Sequence, residues 1–321
     1  MKTLIITKGD VLDLISMEMV IKEVEAAFKE MAAGKAKMPG KSYVSLEKGD
    51  FRAMPAALSG ASGVKWVNVH PANWQLNLPT VMAVLIYSDP DTGYPLAIMD
   101  ASEITAYRTG AASAIASRCL ARPGADSLGL IGAGRQAHTQ LQAHLELFNL
   151  KKIRVYDIDA KRAQAFAQSY SSLPICTSSI EEACNSAIIC TTTPATRPVV
   201  RIDWIKKGTH INAIGADAPG KQELETEILK NARLVVDDIE QAAKSGEINV
   251  PIKDGHFSPD NIIATLGDCI TGRASCRINE NDITVFDSTG IAIEDIAVAR
   301  AIYNMAINKT RNRYLEVDFL S

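Results

Sequence analysis

The chain has 321 residues, is 47% hydrophobic and 22% charged, and carries a formal net charge of −3. That length suits one large domain or two ordinary ones with packed cores. The mild negative charge offers no footprint for nucleic acid or an anionic membrane surface, and no apolar run reaches the length of a bilayer span.

The N-terminal apolar stretch Leu4-Ile5-Ile6 is too short for a signal peptide. Thr7-Lys8-Gly9-Asp10 has the spacing of a helix start with Thr7 as N-cap. A longer helix follows Ser16, with Val20, Ile21, Val24, Phe28 and Met31 on one face and Gly34 as its stop. The period then changes to that of strands. Ser42 to Leu46 and Phe51 to Met54 read as a hairpin, followed by strands over Val64–Val69, Val81–Tyr87 and Pro95–Met99. A mostly antiparallel sheet is expected there. Ile104 to Leu120 reads as an alanine-rich helix, broken by Arg122-Pro123-Gly124.

Beyond that break, strands and helices alternate, which predicts a doubly wound parallel sheet. The apolar run Leu128 to Ile131 leads into Gly132-Ala133-Gly134-Arg135-Gln136-Ala137 and then a helix. This strand–turn–helix signature holds a dinucleotide pyrophosphate. Gly132 permits the turn, Gly134 lets the backbone approach the phosphates, and Ala137 allows close helix–strand packing. A second strand ends in Asp157, 25 residues after Gly132, near the spacing of the acid that binds the adenosine ribose. A carboxylate there accepts from both ribose hydroxyls and repels a 2′-phosphate, so NAD is expected over NADP. Further strands are read at Ala187–Thr191, Thr209–Ile214, Leu234–Val236 and Ile283–Phe286, and a long helix runs from about Ala292 to Ile307. That helix could return to the first domain. Thr310 to Ser321 carries no clear signal.

Three cations sit in apolar settings: Arg52 beside Phe51, Lys65 within Val64–Val69, and Arg108 beside a glycine in the alanine-rich helix. Buried Lys and Arg are rare unless paired. Together, beside a nucleotide fold, they point to a pocket for a carboxylate. Each alone could instead reach solvent or pair with Glu47 or Asp100. Asp217 follows the strand Thr209–Ile214, where open parallel sheets face their ligands, and could bind an ammonium, move a proton or be a plain turn residue. Thr191-Thr192-Thr193-Pro194, with Thr192 at its centre, could line the cofactor in the same way. Asp287-Ser288-Thr289 reads as a helix cap before a catalytic serine, since no histidine is tied to it. Asp237-Asp238 and Glu240 read as an acidic loop or helix start. Trp66 and Trp74 read as core or interface residues. His70, His138, His144, His210 and His256 show no metal-ligand spacing, so no metal is expected. The six cysteines have no CxxC pair, so six reduced thiols in a cytoplasmic protein are expected.

Several motifs then add up in order: Arg52-Ala53-Met54-Pro55, Lys65-Trp66-Val67-Asn68, Arg108-Thr109-Gly110-Ala111, the glycine turn, Gly215-Ala216-Asp217-Ala218-Pro219-Gly220-Lys221-Gln222-Glu223-Leu224 and Phe286-Asp287-Ser288-Thr289-Gly290. Over nearly its whole length the chain resembles the ornithine cyclodeaminase/mu-crystallin family. The resemblance implies a Rossmann-type NAD-binding domain (123–290) and a discontinuous α+β domain (1–122 and 291–321) that binds substrate and pairs subunits into a homodimer. It implies a substrate carboxylate on Arg52, Lys65 and Arg108, with Lys65 as acid/base and Asp217 at the amine- or water-activating position. It places Arg108, Thr109, Gly132, Gly134, Arg135, Gln136, Asp157, Thr192, Asp217 and Ser288 around the cofactor or substrate. The leading activity it implies is NAD-dependent oxidative deamination of L-alanine to pyruvate and ammonia. The alternatives are ornithine cyclodeamination, reduction of a ketimine or 1-pyrroline-2-carboxylate, and a non-catalytic NAD(P)H-dependent binder.

Overall fold

A computed structural model describes residues 2–309 and 313–319. The chain divides into two compact units, Met1–Arg108 with Ile291–Ser321, and Thr109–Gly290.

The first unit opens with β1 (Thr3–Ile6), α1 (Lys8–Leu14) and α2 (Met17–Ala32). Thr7 and Asp10 form a capping box at the start of α1, and the Ser16 hydroxyl accepts from Met19 N–H at the start of α2. Val20, Ile21, Val24 and Phe28 are buried along one face of α2. Met31, in the last turn of α2, is partly exposed. Strands β2 (Ser42–Leu46), β3 (Gly49–Leu58), β4 (Ala61–Val69), β5 (Val81–Ser88) and β6 (Pro95–Asp100) follow, then α3 (Ser102–Leu120).

The second unit contains β7 (Ser127–Ile131), α4 (Arg135–Leu147), β8 (Lys152–Tyr156), α5 (Ala160–Ser169), β9 (Ile175–Thr177), α6 (Ile180–Cys184), β10 (Ile188–Thr191), β11 (His210–Ala213), α7 (Thr226–Asn231), β12 (Arg233–Val236), α8 (Ile239–Ser245), α9 (Asn249–Lys253), β13 (Ile262–Thr265), α10 (Leu266–Ile270) and β14 (Thr284–Asp287). The chain then returns to the first unit through α11 (Ala292–Lys309) and β15 (Leu315–Val317).

In the first unit seven strands run in the order β15-β1-β6-β5-β4-β3-β2. All neighbours are antiparallel except β1 and β6. Helix α11 packs against β3, β4 and β5 and against α2. Its first two turns are buried all round, so it is a core helix rather than an amphipathic one. In the second unit eight strands run β13-β12-β14-β11-β10-β7-β8-β9, all parallel. The β9-β8-β7-β10-β11 run is the doubly wound order with its switch point beside β7. Leu128 and Leu130 face one apolar core and Ile131 the other, as a parallel sheet covered on both faces requires.

Three features depart from the sequence reading. The units part inside α3, at Arg108/Thr109, and not at the Arg122-Pro123-Gly124 break. The break ends the helix, whereas packing decides which unit each turn joins. Cys269 and Cys276 form a disulfide with Cα atoms 5.9 Å apart, so six free thiols are not present. Gly272, at φ +72°, turns the chain back between them. Cys119, Cys176, Cys184 and Cys190 are free. Trp66 and Trp74 are 45% and 68% exposed, which removes the core half of their reading and leaves the interface half. Of the tail without sequence signal, 310–312 and 320–321 lie outside the described residues, and β15 lies within it. No helix among the described residues is long and apolar enough to cross a membrane.

Candidate active site

Two constellations emerge, one in each unit. The first is built on β3, β4, α3 and α11. Strand alternation buries Arg52 with Met54, Ala56 and Leu58 on β3. Register places Arg52 opposite Val67 and Met54 opposite Lys65. Directly opposed antiparallel residues share a face, so Arg52 and Lys65 both point to the buried side. The intervening Trp66 faces outward and stacks on Phe51 at 5.3 Å.

Lys65 is 0% and Arg108 5% exposed, and both are ion-paired. Lys65 Nζ lies 2.6 Å from Asp295 Oδ2 and 3.3 Å from Thr105 Oγ1. Arg108 Nε donates to Asp295 Oδ1 at 3.1 Å and Nη1 to Glu294 Oε2 at 3.0 Å. Asp295 thus bridges the two cations. Arg52 pairs instead with Asp50 at 2.7 Å and stands over the Tyr43 ring. The partners differ from the Glu47 and Asp100 considered from sequence, because Glu294 and Asp295 come back to β4 and α3 from the far end of the chain. Their signal was the one that marked the cations, charges in an otherwise apolar run, Ile291 to Ala299.

Burial pushes the Lys65 ammonium down to about 7, against the pull of Asp295 and with reinforcement from Arg108 and Lys41. Burial also works against Arg108, but Asp295 and Glu294 more than offset it and hold the guanidinium charged, above its usual range. This is an environment for a lysine that exchanges its proton near neutrality beside a permanent cation.

The second constellation lies at the carboxyl ends of the parallel strands. Gly132 takes φ +98°, and a Cβ there would meet Thr192 Oγ1 at 2.8 Å. Gly134 has open space around the same position and caps α4 with no side-chain hydrogen bond. The α4 N–H groups therefore present an uncapped anion site. Ala137 is buried. Asp157 accepts from Ala133 N–H at 2.8 Å and from Asp159 N–H at 2.9 Å. Arg135 is exposed and Gln136 half-buried at the helix start. Thr192 lies against the Ile131 and Gly132 carbonyls. Thr109 is buried, with its carbonyl accepting from Ser113 and Gln140. Ser288, two per cent exposed at the end of β14, has a hydroxyl without a hydrogen-bond partner among the described residues. An open glycine, an uncapped helix start and an orphan buried hydroxyl on one edge of a parallel sheet fit a dinucleotide. Asp217, in the loop after β11, pairs with Lys221 at 2.5 Å.

The sequence reading gives no role to Glu223 and Glu247 and reads Asp237 and Asp287 as parts of a helix start or cap, whereas the four acids lie buried beneath these loops. Glu223 accepts from Thr191 Oγ1, Thr193 N–H, Thr193 Oγ1 and Gly215 N–H at 2.6–2.7 Å. Glu247 accepts from the Glu223 and Leu224 N–H groups. Asp287 accepts from Glu247 N–H, and Asp237 accepts from Thr289 Oγ1 and Gly290 N–H. All four are buried. Burial pushes Glu223 up, and Glu247 and Asp287 well up, despite these donors. Among the described residues no group of three or more His, Cys, Asp or Glu is placed to hold a metal ion.

The family model described as the ornithine cyclodeaminase/mu-crystallin family matches residues 1–310. An alanine dehydrogenase of Archaeoglobus fulgidus is 49% identical over 311 residues, 96% of this chain and 97% of the relative. Among solved structures, an archaeal alanine dehydrogenase dimer with bound NAD matches with a TM-score of 0.97 and 47% identity, covering 100% of both chains. The Δ1-pyrroline-2-carboxylate reductase of Thermococcus litoralis, in complex with NADH and L-proline, matches with a TM-score of 0.92 and 41% identity, covering 95% of this chain and 98% of that one.

Proposed function

This chain belongs to the ornithine cyclodeaminase/mu-crystallin family, and on that footing we propose that it is an NAD-dependent oxidoreductase that deaminates L-alanine to pyruvate and ammonia, reversibly. The observation that carries the reading is the buried Lys65–Asp295–Arg108 array in a chain that also holds the glycine turn closed by Asp157. The 49% identity to the A. fulgidus enzyme over nearly the whole of both chains supports alanine as the substrate.

When bound, NAD supplies the acceptor for the hydride that leaves the amino-acid Cα. Arg52, Lys65 and Arg108 hold the substrate carboxylate, so positioning and charge stabilisation supply much of the rate. Lys65, poised near neutrality, or Asp217 takes the proton from the water that adds to the imino carbon. Gly132, Gly134, Arg135, Gln136, Thr192 and Ser288 hold the dinucleotide phosphates and nicotinamide end. Asp157 holds the ribose, and Thr109 lines the same site.

A second reading, reduction of a cyclic imino acid, is favoured by the likeness to the T. litoralis reductase. We also propose a homodimer. Trp66, Val84 and Ile86 form an exposed apolar group on the outer face of the first sheet, a surface of the kind that marks subunit contacts, and the matching archaeal enzyme is a dimer. A cytoplasmic location is part of the proposal: the four free thiols favour it, while the Cys269–Cys276 disulfide counts against it.

The test is a panel of L-amino acids incubated with NAD, following NADH absorption and products. Alanine giving NADH and pyruvate is the expected result. Ornithine giving proline without NADH accumulation, or turnover only of 1-pyrroline-2-carboxylate with NADH, would replace it. Lys65→Ala should abolish turnover while NADH still binds.

A further inference from the structure

We infer that Asp295 is the positioning residue of this site: its two carboxylate oxygens fix Lys65 and Arg108 in one array and hold the proton on Lys65. The inference rests on the proposed function for the role of Lys65, but its geometry stands apart from it. Lys65 Nζ donates a hydrogen bond to Asp295 Oδ2 at 2.6 Å, and Arg108 Nε donates one to Asp295 Oδ1 at 3.1 Å. All three side chains are buried. Asp295 spans both cations from the fully buried, otherwise apolar start of α11, where Ile293 and Ile296 are also fully buried.

The donors that remain are those a ligand would use. Asp295 and Thr105 take two of the three Lys65 protons, which leaves one. Asp295 and Glu294 take Nε–H and one Nη1 proton of Arg108, which leaves the outer edge of the guanidinium. A substrate carboxylate therefore joins an existing array rather than assembling one, which is how buried charges are kept in register. The charged groups that act most on Lys65 are Asp295 on α11, Arg108 on α3 and Lys41 before β2; Arg52 shares its face of the sheet on β3, and Glu294 on α11 stands on the far side of Arg108. Asp295 is the acid in direct contact with the ammonium, so it is the group that most favours the charged form.

The experiment is Asp295→Asn with Thr105→Val as comparator. Lys65 titration is read by NMR of Cε-labelled lysine, its signal assigned by loss in Lys65→Arg, and NADH binding reports folding. In Asp295→Asn the Lys65 titration should move down by about one pH unit or more, and in Thr105→Val by much less. A titration in Asp295→Asn that coincides with the wild type overturns the inference. The limb of the pH profile of kcat/KM for the amino acid should move with the titration. If the titration moves and the limb does not, Asp295 sets Lys65 as inferred, and it is the acid/base role of Lys65 that falls. Asp295→Glu keeps the charge but lengthens the arm, so Lys65 should titrate near its native value while KM for the amino acid rises. An unchanged KM there overturns the bridging role.

Discussion

The Asp157 carboxylate accepts a hydrogen bond from the backbone N–H of Ala133, 24 residues earlier, at 2.8 Å. One acid therefore both closes the glycine turn and offers its remaining lone pairs at the end of β8. Asp157→Ser should weaken NAD binding about tenfold, equivalent to about 1.4 kcal/mol. It should also narrow the preference for NAD over NADP, because the repulsion of a 2′-phosphate is removed while Lys161 and Arg162 stand nearby. KM values for the two cofactors check this, and an unchanged ratio would remove Asp157 from the cofactor site.

The two glycines of the turn are predicted to fail differently. Gly132→Ala forces a side chain into φ +98° with its Cβ 2.8 Å from Thr192 Oγ1, so it should cost about 1–3 kcal/mol of stability as well as cofactor affinity. Gly134→Ala has ordinary backbone angles and open space. It should leave the urea midpoint in place and still weaken dinucleotide binding, because the added methyl stands where the phosphates approach. Equal midpoints for the two variants would contradict this account.

What could be read in the sequence was local. The glycine turn, Asp157 and the cations among apolar neighbours each announce themselves within a few residues. The array that holds Lys65 and Arg108 could not be read so directly, since Asp295 lies 230 residues from Lys65 and its place in a first helical turn passes for an ordinary dipole contact. The same is true of Asp237, read with Asp238 and Glu240 as an acidic loop or helix start: Asp238 does cap α8 with Glu240 in its first turn, but Asp237 is buried on Thr289 and Gly290. Strand β1 went unread because its four residues gain meaning only beside β6 and β15.

Glu223 carries a prediction that follows from donor counting. Each of its oxygens accepts one backbone N–H and one hydroxyl. In Glu223→Gln the amide nitrogen must face either Thr193 N–H or Gly215 N–H, whichever way it is turned. A buried donor left unsatisfied costs about 1–3 kcal/mol. The strain falls on the loops after β10 and β11, which carry Thr192 and Asp217. The variant should therefore lose that much stability in urea and show a raised KM for NAD. Native KM and stability together would show that the hub is dispensable.

His144 and His210 predict a weakness in acid. His144 Nε2 pairs with the Ser117 hydroxyl at 2.8 Å, and Asn212 links that hydroxyl to His210. Burial pushes His144 down to about 4 and His210 down to about 3, from an ordinary value of about 6.5. Both are neutral in the fold at pH 7. Below about pH 6.5 the unfolded chain takes up protons that the folded chain refuses, so stability present above that pH is lost as the pH falls towards 4 and 3. Each histidine contributes a slope of about 1.4 kcal/mol per pH unit. Glu247 and Asp287, with raised values, act with the opposite sign, so the measurement is a difference between proteins. Urea unfolding of wild type and His210→Gln between pH 7 and 5 should show the variant losing about 2 kcal/mol less than the wild type over the two units, the difference steepening towards about 1.4 kcal/mol per unit as the pH drops below about 5.5. Parallel slopes would mean that His210 is charged in the fold or is not sequestered from solvent.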